Sequence, residues 1–164
     1  MTNRIARRSA VALALMTFVV AGTAGAQSPS QTINFSVGAI NQIAVSGTVT
    51  LDITTAVAGG APTQATDNGS TWAVTTNQTG AKVSASLNSD MPAGLTLQVA
   101  LGAPAGATSA GATTLSSAPV DLVTGVTQVS GSGLSMNYTL DATLLAGVVA
   151  AGTRTVTYTI AGGA

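Results

Sequence analysis

Few residues of this chain have side chains that could carry out chemistry. The sequence contains no histidine, glutamate or cysteine, which excludes thiol catalysis and cysteine metal sites and leaves aspartate as the only common general base. Lys82 precedes Ser84 and Ser86 at alternate positions, and a lysine beside a serine can activate that serine as a nucleophile. The same alternation is typical of the solvated face of a β-strand, and we favour that interpretation.

The aspartates are the other candidates, and one of them begins a motif like that of a calcium loop. Asp67, Asn68 and Gly69 are consecutive, but the segment lacks the spaced oxygen ligands and the glutamate of such loops. Asx and Gly residues in this order are more typical of a turn. The remaining aspartates are dispersed, at positions 52, 90, 121 and 141. We therefore predict no catalytic residue, no metal ligand, no cofactor and no enzymatic activity.

Three aromatic residues could instead bind a ligand. Trp72, Tyr138 and Tyr158 would suit a surface on which sugar rings stack, yet each lies in phase with aliphatic neighbours two residues away. That phase favours burial in a core. A carbohydrate-binding module should expose at least one of them beside polar groups, whereas a structural subunit should bury all three.

The elements that must position these side chains are β-strands, because apolar and polar residues alternate along much of the chain. Sequences typical of turns separate the alternating segments at 67–70, 77–80, 89–94 and 131–133. The small-residue stretch 102–114 is predicted to be a loop. Residues 144–152 could form a helical turn, and we predict that they are a crossover that leads to the last strand.

Short alternating strands of this kind predict one all-β domain, an antiparallel sandwich of about seven to nine strands. Its core is expected to contain Phe35, Leu51, Trp72, Val83, Leu97, Met136, Tyr138, Val156 and Tyr158. The last strand, 153–160, is expected to be a fixed part of the sandwich. Its neighbour is expected to be the strand at 134–140.

Residues 1–26 have the pattern of a cleaved secretory signal peptide: a basic start, a short apolar stretch and small residues up to Ala26. The Arg7-Arg8 pair leaves twin-arginine export open as an alternative to the general route. We expect residues 27–164 to be secreted through the periplasm to the cell surface or medium. No later apolar run has the length of a membrane span.

The low charge of residues 27–164 limits the partners. These residues include two basic side chains, Lys82 and Arg154, and five aspartates, which gives a net charge of −3. Two cations cannot neutralise a phosphate backbone, so nucleic-acid binding is not expected. A surface of Thr, Ser, Asn and Gly does little to repel further copies of the chain. We therefore expect self-association, with a monomer whose edges are covered by loops as the alternative.

Two stretches resemble spore-coat-U-type secreted domains and chaperone–usher pilins, although the cysteines usual in the first group are missing here. Residues 31–53 resemble the opening strand pair of the former, and residues 138–160 resemble the ending that both groups share. The resemblance implies an incomplete Ig-like sandwich, without catalysis, that a strand from a neighbouring subunit completes. It also implies an export chaperone as a partner.

The expected function is therefore a structural subunit of a pilus, coat or extracellular matrix. Strand exchange would use residues 27–37, the start of the mature chain, as the mobile strand. The alternative is a monomeric, secreted adhesive or carbohydrate-binding module.

Overall fold

The structure is a computed structural model that describes residues 25–163. The predicted signal peptide, residues 1–26, lies outside the described residues except for its last two positions. The described chain divides into a segment that ends at Ser36 and a body that begins at Val37. Residues 25–36 contain no strand and every side chain in them is exposed, whereas the body contains all the strands that the described chain forms.

The described body contains nine β-strands and one short 3-10 turn, Leu144–Ala146. The strands are β1 Asn41–Val45, β2 Ala65–Thr76, β3 Ala81–Leu87, β4 Leu95–Leu101, β5 Thr108–Ser109, β6 Thr113–Thr114, β7 Val120–Val126, β8 Val129–Ala142 and β9 Val156–Ala161. They form a five-stranded sheet in the order β1-β2-β8-β4-β6 and a four-stranded sheet in the order β5-β7-β3-β9. All the described strand pairs are antiparallel. The prediction of an all-β antiparallel sandwich of seven to nine strands is confirmed.

The core lies between the two sheets and follows the alternation of the strands. In β3, Ala81, Val83, Ala85 and Leu87 are buried while the residues between them are partly or fully exposed. Of the predicted core residues, Trp72, Val83, Leu97, Met136 and Tyr138 are buried, and Leu51, Val156 and Tyr158 are half-buried against the core. Eight of the nine predicted residues therefore lie in the core or against it, since a strand buries every second residue against the opposite sheet.

The predicted core position of Phe35 is wrong, because its side chain is exposed. Residues 31–37 alternate like a strand but belong to no sheet in the described chain. Residues 48–54 also belong to no strand, although Val49, Leu51 and Ile53 are half-buried and the residues between them are exposed. The alternation in both segments is that of a β-strand, but neither has a strand as its partner.

Two predicted turns are wrong, because residues 67–70 and 131–133 lie inside the long strands β2 and β8. These two strands pair with each other, with irregularities in the ladder between Asp67 and Ser70 and between Trp72 and Val74. The Asp67 carboxylate accepts hydrogen bonds from the backbone N–H and the hydroxyl of Ser70, so the Asx motif shapes a bulge rather than a turn. The turns at 77–80 and 89–94 are confirmed, and the predicted loop 102–114 includes the two-residue strands β5 and β6.

The predicted pairing of the last strand is also wrong. β9 pairs with β3, from Leu87 opposite Val156 to Lys82 opposite Ala161, while β8 lies in the other sheet. The connection after Ala142 crosses from one sheet to the other, as the predicted crossover requires. Tyr138 of β8 and Tyr158 of β9 consequently meet through their hydroxyl groups across the core and not as neighbours in one ladder.

Candidate functional site

The last strand, β9, leaves one side of its sheet open. It is the end strand of the four-stranded sheet, and within the described residues its only partner is β3. Its inward residues Val156, Tyr158 and Ile160 are only half-buried, although they pack against the core. An edge whose backbone groups are unpaired and whose inward side chains are incompletely covered can accept another strand.

A groove of about 440 Å³ runs beside this edge. One wall is the chain that continues from the end of β1, residues 45–49 and Leu51, and the other is the start of β9 with the residues before it. The floor consists of Met91, Leu97, Tyr138 and Leu140. The groove therefore lies where the edge of one sheet faces the edge of the other, and its floor is largely apolar.

Two tyrosines line the inner part of the groove. The hydroxyl oxygens of Tyr138 and Tyr158 are 2.6 Å apart and share a hydrogen bond. Burial raises the pKa of Tyr158 far above its ordinary value, and the hydrogen bond with Tyr138 raises it further. Burial also raises the pKa of Tyr138, against the opposing effect of that hydrogen bond. Both phenols are therefore neutral at physiological pH and act as a hydrogen-bonded pair between the sheets.

The loop between β3 and β4 fixes the outer end of the groove. Arg154 donates from Nε to the backbone carbonyl of Asp90 at 3.0 Å, and the backbone N–H of Thr155 donates to Oδ1 of Asn88 at 3.0 Å. The backbone N–H of Ser117 donates to the Asp90 carboxylate at 2.6 Å and lowers the pKa of that carboxyl group. The bonds of Arg154 and Thr155 hold residues 88–90 against the chain that leads into β9, and the bond of Ser117 joins Asp90 to the connection between β6 and β7.

The described chain also contains an exposed apolar segment. Ile33, Phe35 and Val37 are 75%, 92% and 80% exposed, and the polar residues Asn34 and Ser36 alternate with them. Residues 31–37 are called the exposed segment below. Three large apolar side chains at alternate positions are costly to leave in water, and they match the pattern of a strand that needs a partner.

The residues that could have carried chemistry lie apart from the groove or have structural partners. Lys82 Nζ lies 2.9 Å from Asp121 Oδ2, so that an aspartate rather than a serine engages the ammonium group. Trp72 is 1% exposed and donates from Nε1 to the carbonyl of Gly102 at 3.1 Å. Among the described residues no three His, Cys, Asp or Glu side chains are grouped as a metal site would require.

Two further findings concern the whole described chain. Within residues 25–163, no helix has the length and apolar character that crossing a membrane requires. Comparisons with protein-family models, with curated proteins and with solved structures find no match to this chain.

The groove is the feature that sequence reasoning missed. It depends on β9 pairing with β3, and strand pairing between distant segments is not encoded in local alternation. One signal was present in the sequence. Val49, Leu51 and Ile53 alternate as in a strand, and no charged residue lies among these inward positions to protect a free sheet edge. That segment forms one wall of the groove through Val49 and Leu51.

Proposed function

We propose that this protein is a non-enzymatic, secreted structural subunit that assembles by strand exchange. The exposed segment of one copy enters the groove of the next copy and pairs with β9. The observation that carries this proposal is a match within one chain, between an edge groove with an apolar floor and an alternating segment whose apolar side chains lie in water. The assembly would be a pilus, coat or matrix at the cell surface.

Strand addition would satisfy both parts of the molecule at once. A strand beside β9 gains backbone hydrogen bonds along the open edge, while every second side chain enters the groove. Ile33, Phe35 and Val37 would then leave water, and the half-buried floor residues Met91 and Leu140 would be covered. Burial of a Phe or Ile side chain contributes roughly 1.5–3 kcal/mol, so three such side chains can hold two copies together.

The two sides of the sandwich are protected differently, which supports a specific role for the open one. The side away from the groove ends in β5 and β6, strands of two residues each, and very short edge strands resist pairing with other chains. β9 has six residues and carries no charge, although edge strands are commonly guarded by charged residues. The resemblance to spore-coat-U-type domains and pilins supports the same assembly, with an export chaperone covering the groove beforehand.

A monomeric carbohydrate-binding module is the second candidate, since the groove combines Tyr158 with Arg154 and has the volume of a small-molecule pocket. The burial of Trp72 and Tyr138 favours the structural subunit. A binding module would remain monomeric, and its groove would be occupied by a glycan rather than by residues 31–37.

The test is a charge placed inside or outside the apolar face of the exposed segment. In residues 27–164, Phe35→Asp should abolish assembly, because the carboxylate would have to lie against the apolar floor of the groove. Asn34→Asp adds the same charge at the neighbouring position, which faces outward in an inserted strand, and should still assemble. Size-exclusion chromatography and electron microscopy would measure both. Assembly by the Phe35→Asp protein, or a monomeric unmodified protein at high concentration, would overturn the proposal.

A further inference from the structure

The connection between β8 and β9 presents a second apolar surface, outside the groove. Residues 144–149, called the apolar loop below, include Leu145, which is 94% exposed, and Val148, which is fully exposed. No charged or polar side chain occurs from residue 144 to residue 152. An exposed apolar patch of this kind marks an interaction surface more often than an accident of sequence.

The apolar loop has a fixed place in the body. The backbone N–H of Thr143 donates to the carbonyl of Gly94 at 2.8 Å, and a Cβ atom at Gly94 would lie 2.6 Å from the backbone nitrogen of Ala146. The loop therefore rests on the β3–β4 connection, whose Met91 lines the groove. It lies at the end of the groove where β9 begins.

The residues that directly follow the exposed segment are bound to the turn between β2 and β3. Asn77 donates from Nδ2 to the carbonyl of Gly38 at 2.8 Å and accepts at Oδ1 from the backbone N–H of Ile40, also at 2.8 Å. One residue spans at most about 3.6 Å, so Val37, which directly precedes Gly38, lies close to Asn77 in space. When Val37 occupies the groove of another copy, the β2–β3 turn of its own body must therefore lie at one end of that groove.

The direction in which the exposed segment enters the groove decides at which end of the groove the β2–β3 turn lies. Every described strand pair is antiparallel, and antiparallel pairing is slightly more stable per residue than parallel pairing. A segment antiparallel to β9 places Val37 beside Val156, where β9 begins. This end of the groove is the one beside the apolar loop.

We propose that the apolar loop of the receiving copy packs against the β2–β3 turn of the inserting copy, and so forms a second contact between successive subunits. This inference rests on the proposed function. The two surfaces are compatible in charge: residues 77–80 are Asn, Gln, Thr and Gly, and the partly exposed Ile40 lies beside them. Neither surface would have to desolvate a charge when the bodies meet.

The experiment compares an isolated segment with a whole subunit as the inserting partner. The Phe35→Asp protein, residues 27–164, serves as a receiver that cannot insert, and it is immobilised. Its two ligands are a synthetic peptide of residues 29–37 and the unmodified protein. Leu145→Asp and Val148→Asp are introduced into the receiver, with Ala112→Asp as the control on the opposite side of the sandwich, where residue 112 is also exposed.

The two loop substitutions should weaken binding of the whole protein by about tenfold or more, because each places a charge in a contact that otherwise contains none. They should leave peptide affinity unchanged, and Ala112→Asp should change neither affinity. Equal affinities of the loop variants and the parent receiver for the whole protein would overturn the second contact while leaving strand exchange intact. An equal loss for peptide and protein would also overturn it, because the loop would then act on the groove itself. Failure of the peptide to bind the parent receiver would overturn strand exchange, and the second contact with it.

Discussion

At the scale of single residues, the hydrogen-bonded tyrosine pair is the most informative feature of the groove. Tyr138 and Tyr158 are the only tyrosines of the chain, and they join one sheet to the other through hydroxyl oxygens 2.6 Å apart. Both hydroxyls belong to a buried environment that disfavours the phenolate, which is why burial is the largest cause of each raised pKa. The pair can therefore be followed by alkaline titration without interference from other tyrosines.

The pH dependence of stability follows from those shifts. Below the ordinary tyrosine pKa of 10.0, the folded and unfolded states hold both protons, so the pair adds no pH dependence. Above it, the unfolded state loses protons that the folded state keeps, and stability falls by up to about 1.4 kcal/mol per pH unit for each tyrosine. Phenolate absorbance should therefore rise only as the circular dichroism of the fold is lost.

The Tyr158→Phe protein is the control for this titration. The substitution removes one of the two ionising hydroxyl groups and should roughly halve the loss of stability per pH unit. Phenolate absorbance that rises around the ordinary tyrosine pKa while the native circular dichroism persists would contradict a buried pair.

At the scale of elements, β9 should show the alternation of a strand that is covered on one face. Ile160 faces the core and is half-buried, whereas Thr159 is exposed. Ile160→Ala should lower the free energy of unfolding by about 1–2 kcal/mol, less than at a fully buried site. Thr159→Val keeps the β-branched shape and should change it by less than about 0.5 kcal/mol. Urea denaturation of both, in the monomeric Phe35→Asp background, measures the difference.

Removing β9 altogether gives a stronger form of the same prediction. A chain that ends at Gly152 loses Val156, Tyr158, Ile160 and the ladder with β3, and we expect it not to fold, because domains are only marginally stable. A native-like circular dichroism spectrum from this truncated chain would show instead that the sandwich can form without β9.

How much of these elements could be predicted depends on how local their causes are. The existence of strands and most core positions follow from alternation within a few residues, as in β3 and β4. The sequences around Asp67 and around Gly133 are typical of turns, yet both lie inside strands. They form irregular positions in the ladder between β2 and β8. A bulge and a turn use the same residue types, and only the partner strand distinguishes them.

The site was less predictable than the fold for the same reason. Phe35 alternates with polar residues as a core residue does, but alternation indicates only that a side chain needs an apolar partner, and the partner need not belong to the same chain. The groove arises where β9 pairs with β3 and leaves its other edge open. Neither local propensity nor spacing carries that information.

At the scale of the whole molecule, we expect an assembly in which the exposed segment of each copy pairs with β9 of the next. The contact between the apolar loop and the β2–β3 turn stabilises it further. The low charge of residues 27–164 removes long-range repulsion between copies, and the short strands β5 and β6 limit pairing on the other side. Growth should therefore occur only through the groove, which gives linear assemblies rather than sheets.

Disulfide trapping tests strand exchange most directly, because the chain has no cysteine of its own. In one chain, Asn34→Cys is combined with Thr157→Cys or Thr159→Cys, since residue 34 is expected to face outward beside the outward residues of β9. Asn34→Cys with Thr114→Cys, on the far side of the sandwich, is the control. Under mild oxidation we expect a ladder of disulfide-linked multimers for a β9 pair and none for the control. Monomers alone, or a disulfide closed within a single chain, would contradict strand exchange between copies.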